Sequence, residues 1–215
     1  VIDKKLEIID INCFSGPKSF ESQYDYLSRA QAKLVAFLED DYLFADGALE
    51  KLFKFAESRN FKGFYSFFNS SDYYENPLHN YKSEIVFFNG CHWRTVASTT
   101  LTFLCSPSTA RKSRRFFRTY SLGNFDHCIW LMQTRLGWSA LVAGTVQSFN
   151  SNSLKRLLKF VVGALVLFPW VLRTREKLWV PVPGLGTHLD SNGFALDFSV
   201  DESCSQPSAR TPHMP

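Results

Sequence analysis

No Gly-x-Gly-x-x-Gly and no Walker-type phosphate loop occurs in this chain, so neither a dinucleotide-binding fingerprint nor a P-loop explains it. Cysteine is sparse and scattered. Cys13, Cys91, Cys105, Cys128 and Cys204 make an odd set without a Cys-x-x-Cys pair, which argues against a disulfide framework and a zinc site. Reduced thiols of this kind fit a cytosolic compartment, and we expect a cytoplasmic protein. A secretory leader is not seen at Val1, and internal repeats are absent. The net charge of +4 is too mild to imply nucleic acid. What is plentiful is aromatic carbon, with 21 Phe, 8 Tyr and 5 Trp, and core filling is its default use.

With 215 residues the chain can bury one substantial core. We expect a single domain over 1–198 and a polar, disordered tail over 199–215. Strand-like patterns at 6–11, 34–38 and 63–68 alternate with helical ones at 19–32 and from Asp46 to about 58. Asp46 is the expected cap of the second helix, with Leu49, Leu52, Phe53 and Ala56 as its apolar stripe. This alternation with short links predicts an α/β fold. Beyond it, 69–81 reads as a loop, and 84–88 and 93–99 read as a hairpin about Asn89-Gly90. A short strand is expected at 101–105. Ser106-Pro107 opens a helix to about 120, a second helix runs over 124–136, and 139–146 reads as strand or loop.

Within that frame one stretch stands out. The apolar run Leu34-Val-Ala-Phe-Leu38 ends in Glu39, Asp40 and Asp41. Carboxylates at the C-terminal end of a buried strand lie where open α/β sheets place their ligand crevice. Three adjacent negative charges repel one another, and a hard cation relieves them. The plain alternative is a solvated acidic turn beside the next helix.

The string Phe37-Leu-Glu-Asp-Asp-Tyr42 resembles the Asp-x-Asp motif of family-2-like, nucleotide-sugar-dependent glycosyltransferases with the A-type fold. That resemblance implies a three-layer α/β/α domain around a mixed sheet. It implies that Glu39 and Asp40 face the nucleotide and that Asp41 ligates Mn²⁺ or Mg²⁺; the family usually has Asp where this chain has Glu39. It further implies Ser19 and Gln23, on the loop-to-helix segment after Gly16-Pro17, as nucleotide contacts. Because A-type transferases begin with a further strand and helix, the opening at Val1 points to a domain lacking its first N-terminal elements.

Other segments join this reading. Asp126, in Asn124-Phe-Asp-His-Cys-Ile-Trp130, is either a cap favoured by the helix dipole or a general base for an acceptor hydroxyl. The resemblance favours the base. In Pro183-Gly-Leu-Gly-Thr-His188, a lone histidine is ordinarily idle, but the family often supplies a late His as a second metal ligand, here His188. On the hairpin, period-two geometry puts His92 and Arg94 on one face and Trp93 on the other. His92 and Arg94 become candidate acceptor or diphosphate contacts. The basic run Arg111, Lys112, Arg114, Arg115 and Arg118 lacks interleaved aromatics and reads as a solvated helix face, not a nucleic-acid surface.

Residues 160–172 are uncharged, interrupted by Pro169, and flanked by Lys155, Arg156, Lys159, Arg173, Arg175 and Lys177. The run falls short of the roughly 20 residues that cross a bilayer. It is either a buried helix or an interfacial one, with membrane contact through 155–177. The expected partners are therefore a nucleotide-diphosphate sugar and a glycan or lipid-linked hydroxyl acceptor, with no nucleic acid. Rival expectations are an inactive sugar-binding or scaffold domain of the same fold, and a nucleotidyltransferase.

Overall fold

The computed structural model describes residues 9, 11–13, 15–76, 79–147, 151–173 and 175–189, and the side chains of 143–147, 151 and 153 are outside that description. The strand expected at 6–11 and the tail expected at 199–215 lie largely or wholly outside it. Helix α1 (Gly16–Leu27) opens on Pro17, whose fixed φ suits a first turn, and buries Phe20 and Tyr24 one turn apart. It ends at Ser28, short of the expected 32. Strand β1 (Val35–Phe37) and strand β2 (Tyr42–Phe44) bracket the acidic triplet. Helix α2 (Ala48–Ser58) follows, capped by Gly47 in the left-handed region at φ 70°, not by Asp46. Its buried residues are Ala48, Leu52, Phe55 and Ala56, so Leu52 and Ala56 are in the core as expected, while Ala48 and Phe55 stand in for Leu49, 61% exposed, and Phe53.

Strand β3 (Phe64–Tyr65) is followed by a short helix α3 (Asp72–Glu75) inside the segment read as a loop. Strands β4 (Ile85–Phe88) and β5 (Cys91–Val96) form the expected hairpin, with Asn89 and Gly90 both at positive φ, as the tight turn requires. Strand β6 (Phe103–Cys105) leads into helix α4 (Pro107–Ser121), where the Ser106 hydroxyl accepts the Thr109 N–H at 3.2 Å. Helix α5 (Asp126–Thr134) stops at Arg135, itself left-handed at φ 56°, before the expected Gly137.

Residues 139–146, read as strand or loop, belong to helix α6 (Trp138–Gln147). An apolar run without period cannot distinguish strand from buried helix. Contact decides it here: the Trp138 indole donates to the Leu131 carbonyl at 2.7 Å and its ring meets Phe160 edge-on. Helices α7 (Ser151–Val166) and α8 (Phe168–Arg173) divide the uncharged stretch, with Pro169 in the first turn of α8. Strands β7 (Leu178–Val182) and β8 (Gly186–His188) complete the described chain.

Six strands form one mixed sheet in the order β1-β6-β3-β7-β5-β4. Among the described strands of this sheet only β3 and β7 pair in parallel, and β6 enters antiparallel between β1 and β3. Alternation along the strands divides the core into two faces. Phe37, Phe64, Phe103, Leu178 and Val180 pack against the side carrying α1, α4, α5 and α7. Tyr65, Leu104, Trp93 and Trp179 pack against α2, where Phe55 stacks on Trp93 with ring centroids 4.0 Å apart. The protein is thus a mixed α/β fold with helices on both sheet faces.

Arg111, Lys112, Arg115 and Arg118 of the basic run on α4 are exposed, as expected of a solvated face, but three of the run's arginines also reach α1 or its cap. Arg114 grips Asp25 with two bonds of 2.5 and 2.6 Å, Arg118 meets Glu21 at 2.9 Å, and Arg111 donates to the Ser28 carbonyl at 2.7 Å. These residues clamp α4 to α1, and the Asp25 carboxyl is held below the usual range by the Arg114 hydrogen bond. Between α2 and β3, Gly63 sits at φ +92°, and a Cβ there would lie 2.5 Å from the Lys177 carbonyl oxygen that accepts the Phe64 N–H. Gly63→Ala is expected to destabilise the fold by about 2 kcal/mol or more, because strain and backbone clash add. Urea unfolding should show a lower midpoint at unchanged slope.

Candidate functional site

Antiparallel pairing of β1 with β6 sets Phe37 opposite Phe103, which brings the chain after β1 alongside the residues before β6. There Thr102 serves Glu39 twice: its hydroxyl donates to Glu39 Oε2 at 2.9 Å and accepts the Glu39 N–H at 3.2 Å. Burial pushes the Glu39 carboxyl above the ordinary glutamate range, and the charges of Asp41 and Asp126 add to the rise. The Thr102 bond and His188 oppose it. The triplet does not cap α2, which begins beyond β2 on Gly47 without a side-chain cap bond.

A second pairing joins residues far apart in the chain. Strands β2 and β8 form a two-stranded ribbon with Tyr42 opposite His188 and Phe44 opposite Gly186. The Leu189 N–H bonds the Asp41 carbonyl at 2.8 Å, extending the register by one step. As a result His188 Nε2 lies 2.9 Å from Asp41 Oδ2. The imidazole also meets the Tyr42 ring edge-on at 5.0 Å, and the Tyr42 hydroxyl pairs with that of Thr100 at 2.8 Å. Burial drives the Tyr42 phenol up to about 12, so it remains a neutral hydrogen-bonding group.

The energetics of this pair do not favour a purely structural role. Its side chains are 24% and 48% exposed, and ion pairs in such settings contribute about 0–1 kcal/mol. Asp41 Oδ1, in contrast, is buried without a hydrogen-bond partner, an arrangement that costs about 1–3 kcal/mol. A bound cation would satisfy that oxygen. Among the described residues no three His, Cys, Asp or Glu side chains form a metal cage. An ion at Asp41 and His188 would therefore take its remaining donors from water or from a ligand.

Asp41 borders one hollow, and a second lies next to that one. The first, about 380 Å³, is lined by Ser19, Gln23, Glu39, Asp40, Asp41 and Tyr120. All four residues singled out as nucleotide contacts line it, and Gln23 Nε2 donates to Ser19 Oγ at 3.2 Å. The second, about 240 Å³, is lined by Asp72, His79, Ser98, Thr100, Asp126 and Arg156, among others. Thr100 and Leu101, adjacent in sequence, border one hollow each. Their closeness is also electrostatic: burial raises the Tyr120 phenol, and both Asp126 and Glu39 raise it further.

Asp126 opens α5, and its Oδ1 accepts the His127 N–H at 2.6 Å. Burial nonetheless raises its carboxyl above the ordinary aspartate value, overcoming the backbone bond and the Arg156 charge, which both lower it. His127 behaves oppositely: burial, with the neighbouring His79 and Arg156, depresses it to about 4. The ring is neutral near pH 7, its Nδ1 shares a 2.9 Å hydrogen bond with Ser98 Oγ, and its buried Nε2 has no partner.

No known protein family, curated protein or solved structure matches this chain. The residues alone therefore carry the assignment. His92 and Arg94 fall outside both hollows. His92 is exposed beside Phe87, whereas Arg94 lies over the Tyr74 ring and bonds Ser83. Their shared face is as expected, and Trp93 is buried on the other. Sequence reading missed Thr100 and Thr102, which hold Tyr42 and Glu39, and it missed Asp72, His79 and Arg156. The hydroxyl-dense Ser98-Thr99-Thr100-Leu101-Thr102 was the available signal for the first two.

Proposed function

We propose that this chain is a metal-dependent glycosyltransferase of the A-type, nucleotide-diphospho-sugar transferase fold, moving a sugar from a nucleotide diphosphate to a hydroxyl acceptor with inversion. The observation that carries this reading is the meeting of Asp41 and His188 across the β2–β8 ribbon, with one Asp41 oxygen buried and unpartnered and Asp41 on the wall of the first hollow. The donor set suits Mn²⁺ at least as well as Mg²⁺, since an imidazole accompanies the carboxylate. Such an ion, when bound, neutralises charge on the departing diphosphate.

The chain's own residues divide the remaining work. Ser19, Gln23, Glu39 and Asp40 line the hollow that takes the nucleotide. Asp126 lines the neighbouring hollow, where it accepts the proton of the acceptor hydroxyl as that oxygen attacks the anomeric carbon. Burial raises its pKa, which makes it a stronger base than an ordinary aspartate. The hydroxyls of Ser98, Thr99 and Thr100, with Asp72 and Asn76, give that hollow the polar lining a sugar alcohol needs.

A panel of nucleotide-sugars, with and without Mn²⁺, tests the reading, with anomeric configuration of the product followed by NMR. Inverted, Mn²⁺-dependent product is expected. Retention would remove Asp126 from the base role, and metal-dependent binding without turnover would mark a sugar-binding domain of the same fold. Gly186 offers a test of the ribbon itself. A Cβ there would lie 2.9 Å from the Phe44 ring, 3.1 Å from the Leu43 carbonyl and 3.1 Å from Phe67 Cβ. Gly186→Ala is expected to push β8 from β2 and weaken Mn²⁺-dependent nucleotide binding by about tenfold, the scale seen when groups supporting a metal ligand are lost. Calorimetric titration measures it.

A further inference from the structure

Helix α7 has two apolar sides, and among the described residues only one of them packs into the core. Phe160 on α7, Leu167 after it and Val171 on α8 are buried in the core, with Leu157 and Ala164 packed against it. Leu154, Leu158, Val162 and Val166 recur every four residues, Val161 and Leu165 lie beside them, and all six are 41–69% exposed. Phe168 and Leu172 on α8 continue the row at 53% and 59%. The expectation of a buried helix thus holds for one side only. A helix that is apolar all round is normally enclosed on every side, and a contiguous exposed apolar patch marks an interaction surface.

Charge identifies what meets this side. From His127 to Arg175 the sequence contains no Asp or Glu. Lys155, Arg156 and Lys159 at one end, and Arg173 and Arg175 at the other, are all exposed. Leu122, 82% exposed, joins Leu158, Val162 and Val166 around an adjoining apolar groove of about 340 Å³. Among the described residues no helix is long and apolar enough to cross a membrane. An apolar stripe framed by cations, on a helix too short to span, fits the plane of an anionic lipid surface.

We propose that α7 and α8 form an in-plane anchor that seats the protein on anionic membrane. The stripe enters the acyl boundary and the terminal Lys and Arg side chains meet the headgroups. Arg156, on the same helix, also lines the hollow containing Asp126, so α7 carries both the anchor and one wall of that hollow. This inference rests on the helix surface and stands whether or not the chain transfers sugar.

The full chain is sedimented with vesicles of phosphatidylcholine alone and with vesicles containing phosphatidylglycerol, alongside sedimentation velocity of the free protein. Partition onto the anionic vesicles is expected to be at least about tenfold stronger and to fall at about 0.5 M salt. Val162→Asp with Leu165→Asp should cut partition by about tenfold or more at unchanged melting temperature. Lys155→Ala and Arg173→Ala should each cost about fivefold, on anionic vesicles only. These lysine and arginine variants keep the proposal testable if the aspartate pair disturbs folding. A dimer dispersed by the aspartate pair, with no vesicle binding, would overturn the proposal in favour of a second copy. A monomer indifferent to both vesicle types would overturn it as well.

Discussion

Asp126→Asn is expected to lower kcat by about 10²–10⁴-fold, the usual contribution of a positioned general base, while leaving the fold at least as stable as before. The two halves of this expectation have one cause. Burial raises the Asp126 carboxyl above its ordinary value, so the folded state binds that proton more tightly than the unfolded chain does. Stability from this group is fully present below the unfolded pKa and is lost as pH rises through the folded one. The charged form of this carboxylate, which burial disfavours, is therefore a liability to the fold as pH rises. An amide removes the charge, and its oxygen can still accept the His127 N–H. Thermal melts at pH 7 should place the variant at or above the parent. The acid limb of the parent's pH–rate profile should lie above the ordinary aspartate value and vanish in the variant. A purely capping Asp126 predicts the reverse pattern, with activity retained and the melting temperature lowered by loss of the helix-terminus charge.

Asp41→Ala is expected to abolish the Mn²⁺ dependence of nucleotide binding, an affinity loss of about 10²-fold or more, since even residues supporting a ligand cost about 10–100-fold. His188→Ala should fall in the same direction, and the double variant should be little worse than either single one. Residues that act as one unit give strongly non-additive cycles. Neither change should cost the metal-free protein much stability, because the pair is partly exposed and leaves Asp41 Oδ1 unsatisfied. A melting temperature that collapses in metal-free Asp41→Ala would instead mark the pair as structural.

The first half of the site was legible because its signal is local. An apolar run that stops at three carboxylates can be read from composition, and the pairing of β1 with β6 only settled what stands beside it. His188 was different. Nothing near Gly186-Thr-His188 points to Asp41, and only the resemblance linked the two before the β2–β8 ribbon was known. Long-range antiparallel pairing leaves no periodic trace in a three-residue strand. The Asp72 and His79 wall of the second hollow was illegible for a related reason. Its segment is aperiodic, and α3 is four residues long. Helix α6 was misread because a short apolar run carries no period that separates strand from buried helix. The basic run on α4 is exposed as expected, but its pairing with Asp25 and Glu21 was illegible because those partners come from α1.

A crystal soaked with Mn²⁺ and uridine diphosphate, with data collected at the manganese absorption edge, tests the central claim most directly. The account predicts an anomalous peak in contact with both Asp41 and His188, with the diphosphate beside it and the nucleoside over Ser19 and Gln23. A map with no manganese at that pair, or with the nucleotide bound elsewhere, would contradict it.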